Sequence, residues 1–306
     1  MLSSISNFKE ARGLVATLAS KKAIQKAGKV TSSAIADEIK YLSENLSQEE
    51  IEEVSNAANK GLKTSGLYDK GVRIYKFDEI KYSPELKVIK YNEKDEEALN
   101  AVKKEILAGK SRFYYNQDNL KSRINLEADA RIYAETVKLG YNAMYLAKTQ
   151  AIFAPNKSHQ PSLFHEMGHA ANRESAPLEV CRVLRGLDKV VTPVVTGAII
   201  LNNPTDKKSK KQKTFNFIEN NAGKIVAISY MPTILEEAYA SKSGLKIAKK
   251  LNESGDLSDK LYKTTKKTCD LGMGSYVVFA LSNVLSIKAM SKVKKALKKN
   301  NITKTL

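Results

Sequence analysis

The sequence has two cysteines, Cys181 and Cys269, in 306 residues. That excludes a disulfide scaffold and any cysteine-rich zinc module, and it suits a reducing compartment. No apolar run approaches the roughly 18 residues of a membrane-crossing helix. Two shorter ones stand out, Val190–Leu201 and Ile225–Leu235, and each contains a proline, Pro193 and Pro232. Charges interrupt the first residues before any secretory leader could form, so a cytoplasmic location, or a peripheral one at a membrane, is expected. Internal repeats and heptads are missing too, which leaves solenoids and coiled coils unsupported. Histidine is scarce, with three in the chain.

Positive charge is abundant instead: 51 Lys+Arg against 33 Asp+Glu give +18, while 42% of residues are apolar, too many for a disordered basic tail. The excess is concentrated in the lysines of the loop Lys207–Lys213 and in the segment 242–306, and no arginine follows Arg185. Lysine is a flexible point charge rather than the planar fork that reads base edges, so sequence-specific nucleic-acid binding is not expected. A solvated basic surface is the bland reading. The functional one is diffuse attraction to an anionic membrane surface.

Organisation along the chain predicts an α+β protein. Helical spacing of Leu2, Ile5, Phe8, Leu14, Val15 and Leu18, a start signal at Ser32/Ser33 and a capping box at Ser47/Glu50 describe an N-terminal helical region, residues 1–60. Residues 61–306 form the second part. Val72–Phe77, Leu86–Tyr91, Asn142–Leu146 and Gln150–Ala154 read as strands of a small mixed sheet, with helices from Asn92 to about Gly109 and from Asp118 to Leu139. From Pro161 onward the pattern is helical, and the two apolar segments read as buried helices.

Two of the three histidines fall four residues apart, in His165-Glu166-Met167-Gly168-His169. On a helix that spacing puts both imidazoles on one face about a turn apart, where they can grip one zinc ion. Glu166 lies beside that face and can take a proton from bound water instead of binding metal. Pro161 and the uncharged neighbours Leu163, Phe164, Ala170 and Ala171 suit a buried helix, whereas two ordinary surface histidines would not need them. A catalytic zinc usually takes a third protein ligand. Asn172 and Ser175 stand where an extended H-E-x-x-H-x-x-G-x-x-H motif would need Gly and His, so that version is excluded. His159 sits at the helix entry, pointing away from the metal face. A carboxylate of Glu236 or Glu237 remains, unless that pair only complements a helix N-terminus.

Glu237-Ala238-Tyr239-Ala240-Ser241 resembles the E-x-x-A-D signature of the gluzincin metallopeptidases, with Ser241 in place of the aspartate. The two apolar segments between His169 and Glu237 make the stretch 142–276 similar to the CAAX-processing and heat-shock membrane zinc proteases and to neutral membrane metallopeptidases. The resemblance implies a zincin-like fold and a zinc endopeptidase, with Glu237 rather than Glu236 as third ligand. It also implies substrate pairing with the strand Gln150–Ala154 and an oxyanion donor, for which Tyr276 and Tyr239 are candidates. The rival from another class is a basic membrane-surface or nucleic-acid-associated binding protein whose zinc site is structural or inactive.

Overall fold

The computed structural model describes residues 2–76, 143–147, 150–154, 160–202 and 209–303. The expected strand Leu86–Tyr91 and the two helices between Asn92 and Leu139 lie outside them, as do His159, Lys207 and Lys208. The described chain is mostly helical with one small sheet. Its elements are α1 (Leu2–Glu44), α2 (Gln48–Thr64), β1 (Arg73–Lys76), β2 (Met144–Leu146), β3 (Ala151–Ala154), α3 (Leu163–Ala171), α4 (Ala176–Leu184), α5 (Leu187–Leu201), α6 (Lys210–Glu253) and α7 (Asp259–Thr303).

The chain divides into two compact units, each assembled from separated segments. Met1–Ala36, Ala176–Glu236 and Gly272–Leu306 form a helical unit; Asp37–Ser175 and Glu237–Leu271 form the unit that carries the histidines. These units cut across the expected division near residue 60. Each has its own core. In the histidine-bearing unit Val54, Leu62, Ile152, Phe164, Met167 and Leu261 pack together. In the helical unit the core is Val195, Ile199, Val226, Tyr230, Ile287 and Met290.

Local rules explain several boundaries. Ser47 and Glu50 form the expected capping box, each side chain accepting from the other residue's backbone N–H, and α2 starts there. Ser32 and Ser33 start nothing, because α1 runs through them. Thr31 turns its hydroxyl back onto the Ala27 carbonyl, so that short polar side chain is spent inside the helix rather than on a cap. Pro161 lies in a 3-10 turn, Gln160–Ser162, that leads into α3.

The sheet order is β1-β3-β2. β1 runs parallel to β3, with Ile74 opposite Ile152, and β2 runs antiparallel to it, with Tyr145 opposite Ile152. A parallel pair cannot be joined by a tight turn, and β1 and β3 lie far apart in sequence. β3 is therefore the central strand, hydrogen-bonded on both sides. That corrects the expectation that it offers an edge to substrate; among the described residues the edges are β1 and β2.

Two more expectations change. Ile225–Leu235 is not a helix of its own but the middle of α6, so Glu236 and Glu237 lie inside a helix rather than at its start, and a role at a helix N-terminus is excluded. Nor are the apolar segments simply buried. Val195 and Ile199 are core, but Val190 and Val194 are exposed, and on α6 Val226 is core while Ile228 is exposed. Near the chain's end, α7 is long and apolar enough to cross a membrane by length and composition, and 33% of that stretch is buried.

Candidate metal centre

α3 and the later half of α6 approach each other backbone to backbone, within the histidine-bearing unit. A Cβ at Gly168 would overlap the carbonyl oxygen of Ala240, and one at Gly244 would overlap the carbonyl oxygen of Phe164. Two glycines thus remove the side chains that would hold the helices apart. The contact places the face bearing His165 and His169 against Glu237 and Ser241, which are themselves one turn apart on α6. Gly168→Ala is expected to destabilise the fold by about 1–3 kcal/mol or more, since neither backbone can yield cheaply. Gly197, also helical but with open space around its Cβ position, is the control. Equal melting temperatures for Gly168→Ala and Gly197→Ala would show that the close approach is not required.

The resulting geometry is tight. His165 Nε2 lies 3.1 Å from His169 Nε2 and 3.0 Å from Glu237 Oε2, and His169 Nε2 lies 3.5 Å from the same oxygen. Ser241 Oγ is 3.0 Å from His165 Nδ1. With Nδ1–H donating to that hydroxyl, His165 presents a bare lone pair at Nε2, toward a second imidazole nitrogen and a carboxylate that is only 1% exposed. Three electron-rich atoms converging in a buried space call for a cation. The spacing suits one: ligand atoms about 2.05 Å from a tetrahedral zinc stand about 3.3 Å apart, within the observed range. The donor set of His165, His169 and Glu237 could therefore hold a metal ion.

Glu166 is placed for a different task. It is buried, and its Oε2 accepts a hydrogen bond from the Tyr145 N–H of β2 at 2.7 Å. A carboxylate oxygen of Glu166 and one nitrogen of each histidine lie within 4.8 Å of one another, close enough for the acid to act at the same site. Burial pushes its carboxyl above the usual carboxylate range, against the pull of His169, His165 and the Tyr145 N–H.

Glu236 offers a carboxylate oxygen within 4.8 Å of ligand atoms of His169 and Glu237, so proximity alone does not separate the two glutamates. Its carboxylate receives Arg185 Nη1 at 2.5 Å, within the helical unit. Tyr239 is two residues from Glu237, roughly 200° around α6, and is half-exposed with Lys242 over its ring. That turns it away from the metal-facing side and removes it as oxyanion donor. Tyr276 belongs to the helical unit. The residues that sequence reasoning missed are Tyr145, which acts through its backbone N–H and so leaves no side-chain signal, and Arg185, whose partner is distant in sequence.

Ser241, where the signature has aspartate, stands within hydrogen-bond distance of the His165 ring. Ser241→Ala should free the His165 ring and weaken zinc binding by about 10–100-fold, and Ser241→Asp should restore it. Competition with a chromophoric chelator measures both, and unchanged affinity in the alanine variant would remove Ser241 from the site. Comparison of the chain with protein-family models, curated proteins and solved structures finds no match. The functional reading therefore rests on the site's own chemistry.

Proposed function

We propose that the protein is a mononuclear metal hydrolase. More specifically, it is read as a zinc-dependent endopeptidase of the gluzincin type with a zincin-like site. The observation that carries this reading is the convergence of His165 Nε2, His169 Nε2 and Glu237 Oε2 beside the separately anchored carboxylate of Glu166. A bound zinc would polarise the scissile carbonyl and lower the pKa of a coordinated water toward 7. Glu166 takes the proton of the attacking water and passes it to the leaving amine. Tyr145 holds that carboxylate in place while Ser241 orients the His165 ring.

An extended substrate is best seated along the outer edge of β2. β3 is already paired on both sides, and the Tyr145 N–H points from β2 toward Glu166. Edge pairing reads backbone more than side chains, so broad sequence tolerance follows. A purely structural zinc site is less well supported, because it would not need a further buried carboxylate, anchored by the Tyr145 N–H, beside both imidazoles. The direct test is metal content together with peptide cleavage. Protein purified without added zinc should carry about one zinc per chain. Its cleavage of a quenched fluorescent peptide library should stop on chelation and return with zinc. Cleavage indifferent to chelation would sink the reading.

A further inference from the structure

Around its apolar core the helical unit also buries polar side chains and exposes large apolar ones. On the buried side, α7 places Ser282, Asn283 and Ser286, α5 places Thr192, and α6 places Glu219 and Ser229. On the outer side, Val194 of α5 is 59% exposed, Ile228 of α6 67% and Leu285 of α7 54%, with Val190, Met231 and Phe279 also exposed. Among the described residues of the other unit, the exposed large apolar or aromatic side chains are Tyr41, Tyr68 and Tyr239. Single exposed apolar residues are ordinary, but several on three neighbouring helices, over a partly polar interior, mark a surface that something apolar covers.

The charges around this surface indicate what covers it. Lys210, Lys211 and Lys213 open α6 and are exposed, as are Lys292 and Lys295 toward the end of α7. Lys294 donates to the carbonyls of Ile200 and Asn202, which brings that end of α7 to the end of α5. α1 packs on α5 and α7 through Lys21, bonded to Thr196, and Gln25, bonded to Asn283, while its Lys22, Lys26 and Lys29 remain exposed. The apolar surface is thus bordered by lysine. A second copy of the chain would bring the same cations to the border, and only an apolar surface with anionic edges complements both features.

We propose that the outer faces of α5, α6 and α7 in the helical unit seat among the acyl chains of an anionic lipid leaflet, with the bordering lysines at the headgroups. For α5 the seat is interfacial rather than spanning, whereas α7 is long and apolar enough to cross by length and composition. Val190–Leu201 covers about 18 Å at 1.5 Å per residue, against about 30 Å for a full hydrocarbon core. The lysines of α1 and α6 would also have to enter that core if the unit crossed it. This inference does not depend on the peptidase reading and can be tested in a Glu166→Ala background.

The chain contains no tryptophan, so a single introduced one reports its own surroundings. Val194→Trp and Leu285→Trp sit at exposed positions where a larger ring disturbs no packing; Tyr68→Trp, in the other unit, is the control. The probes are vesicles of phosphatidylcholine with phosphatidylglycerol, with and without bromine on the acyl chains. With these vesicles the first two variants should shift their emission to the blue and be quenched by brominated chains several-fold more than the control. Lys210→Glu with Lys211→Glu and Lys213→Glu should reduce vesicle binding at low salt several-fold. Water-like, unquenched emission from both variants would overturn the proposal. So would blue-shifted emission without vesicles in a stable dimer, which would assign the surface to a second copy.

Discussion

Glu166→Gln is expected to lower peptide hydrolysis by about 10²–10⁴-fold while leaving the zinc content unchanged. The substitution keeps the length of the side chain, and its amide oxygen can still accept the Tyr145 N–H that now binds Glu166 Oε2 at 2.7 Å. What it removes is the ability to take a proton. The loss should therefore fall on kcat rather than KM, because Glu166 moves a proton and does not hold the substrate. Two outcomes would be decisive the other way. Cleavage at the wild-type rate would remove Glu166 as the base. Loss of zinc would make it a ligand, which its closeness to both imidazoles leaves chemically feasible.

What the sequence shows of this site follows from helix geometry. A spacing of four residues fixes where two side chains lie on one helix, and His165 and His169 do stand with Nε2 atoms 3.1 Å apart. The short strands were also legible, since alternation is a local property and β1, β2 and β3 fall within the expected segments. Neighbours are not a local property. Nothing in Gln150–Ala154 says that β1 returns to pair beside it in parallel, so the strand was taken for an edge when it is the centre.

The long helices were misread for a related reason. α6 contains a proline, a glutamate pair and an apolar stretch, each of which marks a boundary in a shorter helix, yet it runs unbroken from Lys210 to Glu253. Its composition changes because successive parts belong to different units. The apolar segments show the same limit, since a helix can bury only the face its neighbours cover. The third ligand was visible only through the resemblance of Glu237–Ser241 to a known signature. The physical cause of its placement, the contact through Gly168 and Gly244, is a backbone approach that a single sequence does not display.

The adjacent glutamates give the sharpest remaining test. Glu237→Ala should abolish stoichiometric zinc binding, whereas Glu236→Ala should retain it. Glu237 is almost wholly buried, with one oxygen 3.0 Å from His165 Nε2 and 3.5 Å from His169 Nε2, so its removal takes both a ligand and the negative charge that offsets the cation. Glu236 lies one residue away, about 100° around α6, and its carboxylate receives Arg185. Losing it should cost about 1 kcal/mol of stability rather than the metal, because Arg185 is partly exposed and can turn to water. Zinc per chain and melting temperature, measured on both variants with and without chelator, separate these effects. Zinc should raise the melting temperature of wild type and Glu236→Ala but not of Glu237→Ala, since a ligand stabilises only a fold that binds it. The opposite pattern would move the third ligand to Glu236 and break the link between the E-x-x-A signature and this site.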